Sequence, residues 1–302
     1  MQTIEHMVTE ERIEHKAQKS TKFPGENDNK VYYETIEEKQ KFKFQESSNP
    51  QIPSVYMEEI FHNLVKEETI IKPNPGYMKS QTDINEKMRA ILVDWIIEVH
   101  LKFKLLNETL FLTINVIDRY LSKKSILRTK LQLLGVSALL ISCKYEEIYA
   151  PDIRDFVYIT DKAFTKEEIL AMEYDILKEL DFNVTIASSN KFFDYIIQYF
   201  GLLDNEICLG RYLLEIFLLD NRMNKYTPSL IACTVGYMVL KMKKYENYHD
   251  VYKFTSFGEV ELKECVKDIC FLVENIPNSS LQAVRTKFGT KEMYEASKLK
   301  LS

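Results

Sequence analysis

Between residues 131 and 142 the chain reads Leu-Gln-Leu-Leu-Gly-Val-Ser-Ala-Leu-Leu-Ile-Ser, and no other stretch so narrows what it can fold into. Wound into a helix, Leu131, Leu133, Leu134, Val136, Leu139, Leu140 and Ile141 surround the axis on all sides. A helix that is apolar all round has to be wrapped by other elements, and the small Gly135, Ser137, Ala138 and Ser142 let those neighbours come close. The sequence therefore predicts a central helix over 129–145. A second run of the same character, Leu230-Ile231-Ala232-Cys233-Thr234-Val235-Gly236, follows a Leu- and Ile-rich helical stretch from Tyr212 to Leu219, so the chain reads as two helical units in tandem.

Only eight glycines and eight prolines occur among 302 residues, which favours long helices over a turn-rich β fold. Around the first central helix the apolar spacing gives helical patterns over 83–104, 107–121, 151–158 and 165–180. Residues 1–53 are rich in Glu, Lys, Gln, Ser and Asn without a sustained hydrophobic period, the composition of a disordered tail, and Asn49-Pro50-Gln51-Ile52-Pro53 marks its boundary. Ser54 can then cap a short helix carrying Tyr56, Ile60, Leu64 and Val65, which Lys72-Pro73-Asn74-Pro75-Gly76 stops. Thr227-Pro228 reads as a helix N-cap with proline at the first helical position.

Charge and composition exclude several functions. A net charge of −5 gives no global attraction to nucleic acid or anionic membrane, and the short cluster Lys241, Lys243 and Lys244 reads as a partner for a helix C-terminus. The apolar stretch Leu230 to Leu240 is too short to span a bilayer, and the charged N-terminus does not read as a signal peptide. Cys143, Cys208, Cys233, Cys265 and Cys270 never form a C-x-x-C pair and read as reduced, packed thiols of an intracellular protein. There is no glycine-rich phosphate loop, H-E-x-x-H or G-x-S-x-G motif. His6, His15, His62, His100 and His249 lack ligand spacing, with His100 expected at the surface or half-buried, so no catalytic residue, metal or cofactor is expected.

The segment 88–104 carries more apolar surface than one buried face needs. Met88, Ile91, Leu92 and Trp95 form one stripe, Ala90, Val93, Ile97 and Leu101 another, and Ile96, Val99 and Phe103 fill the angle between them. Either the helix is wrapped on all sides, or one stripe packs the core while the other awaits a partner. Arg89 within it needs an anion nearby, and Asp94 faces mild repulsion from Glu98 at i+4. On chemistry alone, Lys144 compensates a helix C-terminus and Glu173, among Ile169, Leu170, Met172 and Ile176, faces solvent.

Met88 to Trp95, Asn107-Glu108-Thr109-Leu110, Ile117-Asp118-Arg119-Tyr120-Leu121, Lys130-Leu131-Gln132-Leu133, Cys143-Lys144-Tyr145-Glu146-Glu147-Ile148, Phe156 to Asp161 and Met172-Glu173 stand in the order and spacing of a cyclin box. In them the chain, from about Val55 to Ser297, resembles the mitotic A/B-type cyclins. The resemblance implies an all-α fold of tandem five-helix cyclin-box repeats: a tail over 1–53, an N-terminal box with its preceding helix over 54–182 and a C-terminal cyclin fold over 183–302. It implies a non-catalytic regulatory subunit that binds and activates a cyclin-dependent kinase, docks its substrates in G2/M and mitosis, and occurs in nucleus and cytoplasm. Residues matching Lys144 and Glu173 then bond backbone groups of the kinase's C-helix, with Tyr56, Ile60, Ile141, Tyr145, Leu177, Phe182 and Val184 as the apolar part of that interface. Asn63 departs from the apolar residue often found on that face. Met88, Ile91, Leu92, Trp95, Glu98, Leu131 and Gln132 correspond to a docking patch for Arg-x-Leu peptides of substrates and inhibitors, and Arg89 pairs with Asp118.

The tail departs from the mitotic pattern: its only arginine, Arg12, is followed three positions on by His15 rather than Leu, and no Lys-Glu-Asn triplet occurs, so a destruction box is not implied. Gly76-Tyr77-Met78-Lys79 leans towards the A type and Lys102-Phe103-Lys104-Leu105-Leu106 towards the B type. A two-repeat transcription initiation factor shares the architecture but would carry zinc-ribbon cysteines and a basic second repeat. A helical enzyme would need convergent polar groups.

Overall fold

The computed structural model describes residues 54–299, so the tail over 1–53 and the readings made on it lie outside the described residues. Every regular element among the described residues is helical. A 3-10 turn, Ser54–Tyr56, leads into α1 (Met57–Ile70). The first repeat follows as α2 (Glu86–Phe103), α3 (Asn107–Lys123), α4 (Leu131–Glu146), α5 (Ile153–Ile159) and α6 (Lys166–Glu179). The second consists of α7 (Ser189–Phe200), α8 (Asp204–Leu218), α9 (Pro228–Met242), a 3-10 segment Tyr248–Phe254 in place of a short fourth helix, and α10 (Glu259–Asn275), with α11 (Ala283–Phe288) behind it.

Local chemistry sets these boundaries. Asn85 Oδ1 accepts from Met88 N–H at 3.0 Å at the start of α2, and Thr165 with Glu168 forms a capping box on α6. Thr227 Oγ1 accepts from Leu230 N–H at 3.4 Å with Pro228 in the first turn, the predicted cap of α9. Gly201, at φ 63°, closes α7 in the left-handed conformation that glycine adopts freely. One predicted cap is corrected. Tyr56, not Ser54, occupies the cap position of α1, and no side chain bonds there, because the 3-10 turn intervenes.

The two all-round apolar runs are the central helices. In α4 every residue from Leu133 to Cys143 is buried. A Cβ on Gly135 would stand 2.7 Å from Leu92 Cδ1, so a larger residue there would have to push the Leu92 side chain aside. In α9 a Cβ on Gly236 would stand 3.0 Å from Ile196 Cγ2 of α7. The N-terminal helix α1 packs on the second repeat. Phe61, fully buried, meets Phe192, Tyr195 and Phe254 edge-on with ring centroids 5.4 to 5.7 Å apart.

The repeats are tied by buried polar contacts. Arg89 donates from Nε to Asp118 Oδ1 at 2.7 Å and from one terminal nitrogen to Oδ2 at 2.6 Å, and its other terminal nitrogen donates to Leu218 O of α8 at 2.8 Å. Asp118 also accepts from Tyr77 Oη at 2.8 Å and from Asn224 Nδ2 at 2.9 Å. Burial works against the Arg89 charge, but Asp118 and Tyr77 outweigh it and hold the guanidinium above its ordinary pKa. The expected pair therefore fixes more than α2 against α3. Asp94, ambiguous in sequence, also serves the junction: its Oδ1 accepts from Ala283 N–H at the start of α11 at 3.0 Å. Burial raises its pKa, the Ala283 N–H opposes this, and Glu98 adds a smaller push upward.

His100 corrects another expectation. It is buried rather than at the surface, because α11 packs on α2, and its Nε2 lies 2.9 Å from Leu106 O. Burial, then the nearby Lys287 charge, pushes its pKa from 6.5 down to about 4, against the carbonyl of Leu106. Between those values the unfolded chain binds more protons than the folded one. This contribution to stability is therefore complete above pH 6.5 and lost as pH falls towards 4. His100→Gln, which can still donate to Leu106 O, is expected to flatten that part of the profile. Urea titrations of both proteins across this range decide it, and parallel profiles would show that His100 does not charge on unfolding.

Candidate functional site

Lys144 stands in the last turn of α4 and Glu173 in the middle of α6, and the packing of these helices brings them together at the surface. Lys144 Nζ donates to Glu173 Oε1 at 2.7 Å and to Oε2 at 2.9 Å. The Lys144 side chain is 51% exposed and that of Glu173 13%, so the carboxylate sits at the foot of the α6 surface with the ammonium over it. Ile169 and Ile176, one turn to either side of Glu173, are buried and anchor α6 against the core.

Around this pair lies an apolar surface. Tyr56, Tyr145 and Phe182 are exposed, and Ile60, Leu177 and Val184 are half-buried. Ile141 is corrected to a core residue, because α4 is wrapped on all sides over Leu133 to Cys143. Asn63 is exposed. Tyr145 Oη pairs with Thr185 Oγ1, which fixes its ring beside the segment after α6. Phe182 has φ 59°, a conformation costly for a bulky residue, and its N–H bonds Leu177 O at 2.8 Å. The turn thus holds an aromatic ring in solvent under backbone strain. Ile148 and Tyr149, to which sequence reasoning gave no role, are more exposed than any other large apolar side chain among the described residues. They directly follow α4, and an apolar pair just beyond a helix end is a signal legible in sequence.

The second candidate surface is the stripe on α2, which the structure divides. Ile91 is 51% exposed, Glu98 is exposed, and Met88, Trp95 and Gln132 are half-buried. Leu92 and Leu131 are buried and belong to the core, Leu92 because it enters the hollow over Gly135. Trp95 packs against both the large core that runs through the two repeats and the smaller one within the first repeat. The helix is thus neither wrapped on all sides nor free along a whole stripe. Its open strip runs through Met88, Ile91 and Glu98, with the Trp95 ring and Gln132 at its border.

Lys241 Nζ lies 5.5 Å from the ring centre of Tyr237 one turn back and donates to its Oη at 3.2 Å. The five cysteines are free thiols, Cys208 half-buried and the others buried. Among the described residues no group of three or more His, Cys, Asp or Glu could hold a metal ion, and no helix is long and apolar enough to cross a membrane.

The family models "Cyclin, N-terminal domain" and "Cyclin, C-terminal domain" match residues 59–185 and 188–302. The chain is 39% identical over 254 residues to "G2/mitotic-specific cyclin-B" of Dictyostelium discoideum, covering 83% of this chain and 58% of that protein. It is 41% identical over 238 residues to "Cyclin-A1" of Homo sapiens (77% of this chain, 50% of that protein). It is 45% identical over 193 residues to "Cyclin-B2-1" of Oryza sativa subsp. japonica (64% and 46%). The chain thus spans about half the length of these relatives. In fold it is similar to the crystal structure of a viral cyclin from herpesvirus saimiri, with a TM-score of 0.65 at 18% identity, covering 71% of this chain and 96% of that one.

Proposed function

From a chain that belongs to the cyclin family and is similar to its mitotic A and B types, we propose a regulatory subunit that binds and activates a cyclin-dependent kinase and docks its substrates in G2/M. It supplies no catalytic group of its own and acts in nucleus and cytoplasm. The observation that carries this reading is the exposed Lys144–Glu173 pair inside an apolar surface. An ammonium has three donors and a carboxylate about four acceptor sites, so each keeps capacity for the backbone of a partner helix while the mutual bond orients both. Tyr56, Ile60, Tyr145, Leu177, Phe182 and Val184 exclude water around those bonds. Binding the active placement of the kinase's C-helix better than the inactive one shifts the kinase population, which is the whole of the activation.

The open strip on α2 takes the leucine of an Arg-x-Leu peptide against Met88, Ile91 and Trp95, and Glu98 takes its basic residue. Met88→Ala with Ile91→Ala is expected to weaken docking by about 2 kcal/mol, roughly thirtyfold in affinity. The test is a kinase assay with added protein on two substrates, one carrying the motif and one a short peptide without it. Wild-type protein is expected to raise activity on both, and the double variant to lose only the advantage of the motif. Absence of activation by the wild type would sink the kinase reading. Equal losses on both substrates would sink the docking assignment alone.

A further inference from the structure

Besides the Phe61 nest, the N-terminal helix is held to the second repeat by one buried carboxylate. Glu68 lies in the last turn of α1, where a negative charge opposes the dipole of its own helix, and it is buried. A buried carboxylate is costly unless hydrogen-bonded. Glu68 Oε2 accepts from Ser229 N–H at 2.8 Å and Oε1 from Ser229 Oγ at 2.8 Å. Ser229 stands in the first turn of α9, whose unpaired N–H groups and positive dipole end favour an anion. Thr227 satisfies the N–H of Leu230 and Pro228 has none, so Glu68 completes the cap of the central helix of the other repeat. Next to it, Lys72 Nζ donates to Lys225 O at 3.0 Å. Between Glu68 and the start of α1, nearer the start, Phe61 sits in its aromatic nest.

The other end of α1 is placed differently. Tyr56 caps it without a side-chain bond and is exposed, and Ile60 is half-buried. At about 1.5 Å per residue Tyr56 lies roughly 18 Å along the helix from Glu68 with buried Phe61 between them, so a change of angle at the Glu68 end is carried about Phe61 to Tyr56.

We propose that Glu68, by capping α9, is a positioning residue that aims Tyr56 and Ile60 at the kinase, so that the second repeat governs part of kinase binding through α1. This rests on the kinase-binding reading above. In the full chain, Glu68→Ala is expected to weaken kinase affinity about tenfold, measured by titration calorimetry on folded protein. Tyr56→Ala should weaken binding in the wild type and much less in the Glu68→Ala background, whereas Lys144→Ala should have the same effect in both. Glu68→Gln, which can still accept from the Ser229 N–H, should recover most of the affinity, and it carries the same cycle if Glu68→Ala does not fold. Wild-type affinity in a folded Glu68 variant, or an undiminished Tyr56 effect in that background, would overturn the inference. Failure of wild-type protein to bind the kinase would overturn the kinase-binding reading instead.

Discussion

Asp118→Ala is expected to cost the fold about 3–5 kcal/mol, the penalty for leaving one member of a buried ion pair without its partner. Asp118 receives two bonds from Arg89 and one each from Tyr77 and Asn224, and both charged side chains are 2% exposed. Its loss strands a guanidinium that can neither deprotonate nor reach water. Against a total stability of about 5–15 kcal/mol, a large part of the margin goes. In urea the midpoint should fall with the slope unchanged. Glu259→Ala, which removes the exposed i,i+4 partner of Lys263, should change stability by roughly 1 kcal/mol or less and serves as the control. A loss from Asp118→Ala no larger than that control would mean the pair does not hold the helices together.

Lys144→Ala with Glu173→Ala is expected to leave the protein folded and to remove kinase binding. The Lys144 side chain is 51% exposed, so losing the mutual bond costs stability roughly 1 kcal/mol or less. In a complex the same groups are desolvated, and truncating such contacts costs about 2–5 kcal/mol, a thirtyfold loss of affinity or more. Calorimetric titration of kinase beside thermal unfolding of the free protein separates the two quantities. Normal kinase affinity in the folded double variant would remove the pair from the mechanism, and a collapse of thermal stability would make it a structural bond.

The helices were legible because their signals are local. The all-round apolar run and its small residues marked α4, and Thr227-Pro228 marked the start of α9. What packing decides was not legible. Ile91 and Leu92 are neighbours on one predicted stripe, yet one is exposed and the other buried, because Leu92 enters the hollow at Gly135 beside Ile96 and Ile91 does not. Periodicity does not register a hollow on another helix. His100 and Asp94 were misjudged or left open for a related reason: α11, far along the chain, covers one and donates to the other. That Lys144 and Glu173 share one surface came from family resemblance rather than chemistry, since each residue alone has an ordinary explanation on its own helix. The contact between them depends on how α4 and α6 cross.

The polar ties between the repeats bear on how such a chain can diverge. Arg89 reaches Leu218 O, Asp94 receives Ala283 N–H, Asn190 Nδ2 donates to Glu108 Oε1 at 2.9 Å, and Glu68 holds Ser229. None of these contacts joins equivalent positions of the two repeats; each links a residue of one to an unlike place in the other. Once a duplicated unit has acquired such crossed obligations, its copies stop being interchangeable. A second copy of either repeat grafted into the other's slot would bring donors to donors and leave charges facing apolar walls. Surface positions remain free to drift independently, while substitutions at Arg89, Asp94, Glu68 and Glu108 can persist only in company with changes in the opposite half of the sequence.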